Sequence, residues 1–233
     1  MLEIQQRGND MEKYFDLLME NPLFAGISRE EMASLLGCLN ARATQVKKGD
    51  PVFLEGDPAG FIGIVLSGAV RIVRDDYYGQ RSFLTQAEPG DIFAEAYACA
   101  PVETMPISGY AAADSQVLLL SARKMLTVCT NACGFHNRLV KNLLAVVAAK
   151  NLLLSRKIQF MSQKTTREKL LAYLLDQAKQ HGSDEFTIAL DRQALADFLG
   201  VERSAMSAEL SKLRRDGALE TTGSRFRLLK SGQ

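Results

Sequence analysis

Histidine, cysteine and long apolar runs are all scarce in these 233 residues, and each scarcity removes a class of protein. The two histidines, His136 and His181, both lie outside residues 42–121. A metal site built from imidazoles on the strands of that segment therefore lacks its ligands. Four cysteines (Cys38, Cys99, Cys129 and Cys133) are too few for a disulfide-built scaffold. In a reducing compartment they are expected to be free thiols. No apolar run reaches the roughly 18 residues that span a bilayer. The opening stretch MLEIQQRGNDMEKYF has neither a basic start before an apolar core nor a small-residue cleavage site, so a signal peptide is not expected. A cytoplasmic protein with no membrane association is the expectation.

Bulk charge is also missing, since the net value is only +1. Its distribution is uneven. Residues 1–134 hold 11 basic and 17 acidic residues, whereas residues 135–162 hold five basic residues and no acid. Residues 163–233 hold 12 basic against 10 acidic. An acidic half joined to a basic half is the pattern of a sensing domain attached to a nucleic-acid-binding one.

What is present is a change of period along the chain. Residues 11–39 read as helix, with Met11, Phe15, Leu18 and Met19 at helical spacing and a break at Asn21-Pro22. Ser28 and Glu31 form a capping-box pattern ahead of Met32, Leu35 and Leu36. Residues 42–121 carry turn signals at Gly49-Asp50, Gly56-Asp57, Ser67-Gly68, Gly79 and Pro89-Gly90-Asp91. Between them lie short runs of β-formers: 52–54, 61–66, 70–73, 82–84 and 117–120. Short strands at this spacing predict a β-barrel or sandwich, with jelly-roll topology as the natural candidate.

Residues 135–162 contain no proline or glycine and read as one long helix. Val140, Leu144, Val147, Asn151, Leu154, Ile158 and Met161 recur at alternating spacings of four and three, a heptad seam. A neighbouring stripe holds Leu139, Leu143, Val146 and Leu153. Two apolar faces call for two partners: the chain's own barrel and the same helix of a second copy. Asn151 in the seam would set register. A second helix follows at 165–181, capped by Thr165 or Thr166, with Leu170, Leu171, Leu174 and Leu175 as its apolar face.

The segment 191–229 carries the function. Asp191 caps a short helix whose inward residues are Leu195, Ala196 and Leu199. Gly200 sits where the chain turns and tolerates positive φ. A second helix over 203–215 has Met206, Leu210 and Leu213 inward. Its outward face carries Arg203, Ser204, Ser207, Ala208 and Ser211, side chains suited to base edges and phosphates in a major groove. Residues 218–229 read as a hairpin wing on which Arg225 and Arg227 are placed to clasp phosphates. This is the pattern of a winged helix-turn-helix, with double-stranded DNA as partner.

The whole arrangement resembles the CRP/FNR superfamily of bacterial transcription regulators. The glycine pattern of 49–91, the central helix and Arg203 opening the recognition helix carry that resemblance. It implies an α+β chain with a β-roll effector domain over 1–134, a dimerisation helix over 135–162 and a winged helix-turn-helix domain over 163–233. It also implies a homodimer on an inverted repeat, with RNA polymerase as partner if the protein activates. Members that bind cyclic AMP carry a Gly-Glu pair and, about ten residues later, an Arg-Ser pair that holds the phosphate. Here the corresponding residues are Ala94-Glu95 and Met105-Pro106. The phosphate-holding arginine is absent, so cyclic AMP is not expected to bind. Ser155 falls where the family's central helix looks into the effector pocket, although an exposed helix serine explains it equally. Glu95 reads either as an effector contact or as a carboxylate tying down a strand end.

With only Cys38 in the first 98 residues, the four-cysteine iron–sulfur cluster of some members is not expected. Haem is not expected either, because no histidine lies on the barrel strands. Cys129, Cys133 and His136 have metal-like spacing but no fourth ligand, and such cysteines also serve as small buried hydrophobes. Three functions follow in order. The first is a regulator switched by an effector other than cyclic AMP. The second is a constitutive regulator with a vestigial barrel, and the third, remote, is a cupin-like metal enzyme. No catalysis is expected.

Overall fold

The computed structural model describes residues 12–78, 80–127 and 134–229. Cys129, Cys133, Met11 and Gly79 lie outside them. The chain divides into two compact units, residues 1–148 and 149–233.

The first unit opens with α1 (Phe15–Glu20) and α2 (Arg29–Cys38). The capping box forms as the spacing requires. Ser28 Oγ accepts from the Glu31 amide at 3.2 Å, and the Glu31 carboxylate accepts from the Ser28 amide at 2.8 Å. The strands follow: β1 (Arg42–Val46), β2 (Pro51–Phe53), β3 (Phe61–Ser67), β4 (Val70–Asp75), β5 (Arg81–Ala87) and β6 (Ile92–Phe93). After α3 (Glu95–Cys99) come β7 (Ser108–Ala111), β8 (Ser115–Ser121) and α4 (Ala122–Leu126). They form two antiparallel four-stranded sheets, ordered β1-β8-β3-β6 and β2-β7-β4-β5. This is the expected jelly roll, and the class is α+β.

The continuous apolar run of β3 has a physical cause. Val65 points into the barrel beside Phe53 and Phe93, while Ile62, Ile64 and Leu66 point outward under the helices. Both faces of the strand are covered, so the polar alternation of a half-exposed strand is lost. The outward layer includes Met32 and Leu35 of α2 and Leu139 and Leu143 of α5 (Gly134–Met161), the long helix. The inward layer is aromatic. Phe53 stacks on Phe93 at 6.1 Å and meets Phe61 edge-on at 5.5 Å.

The second unit holds the end of α5, α6 (Thr166–His181), β9 (Glu185–Thr187), α7 (Arg192–Leu199), α8 (Arg203–Arg215), β10 (Leu219–Thr222) and β11 (Arg225–Leu228). Its core joins Phe160, Leu170, Tyr173, Leu174, Leu195, Leu199, Met206, Leu210, Leu213 and Phe226.

Two expectations need correction. Leu153 is 62% exposed, whereas Leu139 and Leu143 of the same expected stripe are buried in the first unit's core and Val146 packs against it. Leu175 is 59% exposed, because the buried stripe of α6 runs through Leu170, Tyr173, Leu174 and Ala178 and leaves Leu175 around the helix.

Candidate nucleic-acid interface

The recognition unit is built by local capping. Asp191 accepts from the Ala194 amide at 2.8 Å and starts α7. Gly200 ends it at φ +61°, where the Gly200 and Val201 amides reach back to the Asp197 and Ala196 carbonyls. A side chain at Gly200 would be strained by that φ, and its Cβ would lie 3.0 Å from the Met161 Cε. The turn lets Ala196, fully buried, sit between the helices.

Helix α8 then begins at Arg203. Met206, Leu210 and Leu213 are buried, and Arg203, Ser204, Ser207, Ala208 and Ser211 are all exposed, as the spacing requires. The N-cap residue is Glu202, whose side chain makes no capping hydrogen bond, and no acidic side chain follows within the first turn. Ser211 Oγ donates to the Ser207 carbonyl at 2.9 Å, which leaves its lone pairs as acceptors. Ser211, Arg214, Arg215, Leu219, Glu220, Thr221 and Thr222 line a groove of about 650 Å³ between α8 and the wing.

The wing pairs Leu219 with Leu228 and Thr222 with Arg225, and β9 adds a third strand on the far side of β11. Arg225 and Arg227 are exposed, and both are ion-paired, with Glu185 and Glu220 respectively. Arg192 is the residue that sequence reasoning missed. Its Nη2 donates to Thr221 Oγ1 and to the Gly223 carbonyl, each at 2.9 Å, and its guanidinium lies 4.9 Å from the centroid of the Phe226 ring. Burial, reinforced by the neighbouring Arg214, pulls the Arg192 pKa down. Arg192 thus ties the first helix of the pair to the wing. Its place directly after the Asp191 cap was the available signal.

The residues assigned to an effector pocket are only partly brought together. Ala94 and Met105 share the barrel's apolar cluster, and Pro106 is half-buried beside it. Met105 is held by its backbone, which bonds to Gly56 and Asp57. Glu95 is buried at the start of α3. Burial, with the Glu95 charge adding, raises the Cys99 thiol pKa. Ser155 is exposed on α5 in the second unit. Along the heptad seam Val140 and Val147 are half-buried and Asn151 is exposed. Leu144, Leu154, Ile158 and Met161 are 70, 60, 67 and 42% exposed. His136 is buried, with Nε2 2.9 Å from the Met125 carbonyl. Among the described residues, no three His, Cys, Asp or Glu are grouped to hold a metal ion. Among them, too, no helix is long and apolar enough to cross a membrane.

Two family models match the chain: a cyclic nucleotide-binding domain over residues 43–132 and a Crp-like helix-turn-helix domain over 168–231. The chain belongs to the CRP/FNR family. Like other members of the CRP/FNR family, it is a DNA-binding transcription regulator. Among its relatives, the nitrogen fixation regulation protein FixK of Azorhizobium caulinodans is 26% identical over 213 residues, spanning 88% of this chain and 83% of that one. The cyclic AMP receptor protein of Thermus thermophilus is 26% identical over 199 residues, spanning 85% and 88%. The fold is also that of the c-di-GMP responsive regulator CLP of Xanthomonas campestris, at 19% identity and a TM-score of 0.53. That match covers 85% of this chain and 98% of the other.

Proposed function

We propose that two copies of this CRP/FNR regulator join along the exposed seam of α5 and set their α8 helices into successive major grooves of an inverted repeat. An effector other than cyclic AMP switches the dimer. The observation that carries this reading is the outward row Arg203, Ser204, Ser207 and Ser211, exposed on a helix whose other face is fully buried. Arg203 reads a base edge, and the serines reach bases or phosphates. Arg225 and Arg227 contact phosphates on the flank. The protein works in the cytoplasm, apart from membranes, performs no catalysis and meets RNA polymerase if it activates.

Cyclic AMP is a poor fit because Met105 and Pro106 offer its phosphate no cation, and a buried phosphate without one loses several kcal/mol. A second reading, an effector-independent regulator, is favoured by one observation. Phe53, Phe61, Phe93 and Met105 pack the barrel interior with the chain's own side chains.

Footprinting of the purified protein tests the assignment. A protected site with dyad symmetry, half-sites about 34 Å apart, is expected. Arg203→Ala should weaken binding by about 1–3 kcal/mol and relax the preference at one position per half-site. Protection without dyad symmetry would overturn the dimer, and micromolar calorimetric binding of cyclic AMP would overturn its exclusion. Equal DNA affinity before and after stripping small molecules would select the effector-independent reading.

A further inference from the structure

Strand β11 carries the two wing arginines and lies between β10 and β9. Each neighbour presents a carboxylate to it. Glu220 of β10 is the direct cross-strand partner of Arg227, at 3.6 Å. Glu185 of β9 stands opposite Arg227 in register and takes Arg225 on the diagonal. All four side chains line one shallow depression of about 360 Å³, together with Thr221, Thr222 and Phe226.

These pairs do little for the fold. Their four side chains are between 45 and 68% exposed, and pairs in water at that exposure add little to stability. The sheet is held instead by Phe226, fully buried and stacked on Phe186 at 6.1 Å, and by Arg192 on Thr221 and Gly223. What the carboxylates do change is the field. They bring the wing's two pairs to zero net charge on the element read as a phosphate contact.

We propose that Glu185 and Glu220 are affinity-limiting residues that hold down the sequence-independent attraction of the wing for the DNA backbone. The inference rests on the reading of Arg225 and Arg227 as phosphate contacts. On binding, each guanidinium exchanges a carboxylate for a phosphate. The displaced carboxylate then stands beside the duplex and repels it. Each acid therefore cancels about one released counterion, lowering affinity and flattening its dependence on salt. Base preference, which resides on α8, is untouched.

The test is a salt series of full-length protein on a random-sequence 30-base-pair duplex, followed by fluorescence anisotropy. Glu220→Gln and Glu185→Gln should each tighten binding about fivefold near 0.1 M salt and steepen the log–log salt slope by about 0.9. Thermal unfolding should stay within a few degrees of the parent. Arg225→Ala and Arg227→Ala should weaken binding and flatten the slope. If the glutamine variants bind no tighter while the alanine variants bind more weakly, the limiting role is wrong and the phosphate contact stands. If the alanine variants also bind like the parent, the wing reading fails and takes the proposal with it.

Discussion

The two ends of α5 have similar apolar content and opposite fates. Near the start, Leu139 and Leu143 are 0 and 3% exposed, locked against the barrel strands and α2. Further on, Leu152, Leu153, Leu154 and Ile158 are each at least 60% exposed. Only Phe160 turns into the core of the second unit, against Tyr173 and Phe198. Helical period says that an apolar stripe will be covered, but not by what. The first end finds its cover in the same chain. The second end shows a run of large aliphatic side chains to water, which marks an interaction surface.

The sharpest way to break this comparison is to charge the uncovered end. Leu154→Glu combined with Ile158→Glu places two acids in each helix of the proposed seam. A carboxylate buried without a partner costs several kcal/mol, so dimer affinity should fall by at least about 1,000-fold. Both side chains are exposed in the single chain, so far-ultraviolet circular dichroism of the monomer should not change. Sedimentation equilibrium reads the outcome. A variant that remains a dimer would mean that the seam lies elsewhere.

The covered end should respond in the opposite way. Leu139→Ala empties a site inside the first unit's core and should lower unfolding free energy by about 2–5 kcal/mol in urea. Subunit association should survive, because Leu139 has no exposed surface to offer a second chain. If Leu139→Ala instead dissociated the dimer without destabilising the fold, the assignment of the two faces would be reversed.

Where a residue's environment is local, the sequence could be read closely. Helix α8 begins and ends at Arg203 and Arg215 as its spacing required, and Met206, Leu210 and Leu213 are buried. The capping box at Ser28 forms as its spacing predicts, and of the two cap candidates for α6 it is Thr165 that caps, in a box with Glu168. Where an environment is made by distant residues, the pattern was silent. Strand β1 is almost wholly exposed, so nothing apolar announced it. Strand β6 is two residues long and carries no period. Strand β7 contains Gly109, because a Cβ there would lie 2.3 Å from the Phe53 ring. Strand β9 exists only by pairing with the wing 40 residues later in sequence, as Phe226 opposite Phe186 makes plain. The site divides along the same line. Exposure of Arg203 and the serines follows from helix period, whereas the ion pairs of Arg225 and Arg227 and the clamp made by Arg192 depend on β9 and on the wing's register.

The smallest expected effect contrasts one substitution in the two units. Ala94 adopts φ +64° at the head of α3, where a Cβ is strained by about 1–2 kcal/mol. Ala94→Gly relieves that strain, loses a nearly buried methyl and adds unfolded-chain entropy. The terms nearly cancel, so stability should change by less than about 1 kcal/mol. Ala196 is also buried, but lies in the body of α7 with ordinary helical backbone. Ala196→Gly relieves nothing, forfeits helix propensity and removes the methyl between two helices. It should cost about 1–2 kcal/mol. Urea denaturation of the two variants measures the gap. An equal loss at both positions would mean that the left-handed backbone at Ala94 carries no strain in solution. Ala94 would then be no burden to the barrel.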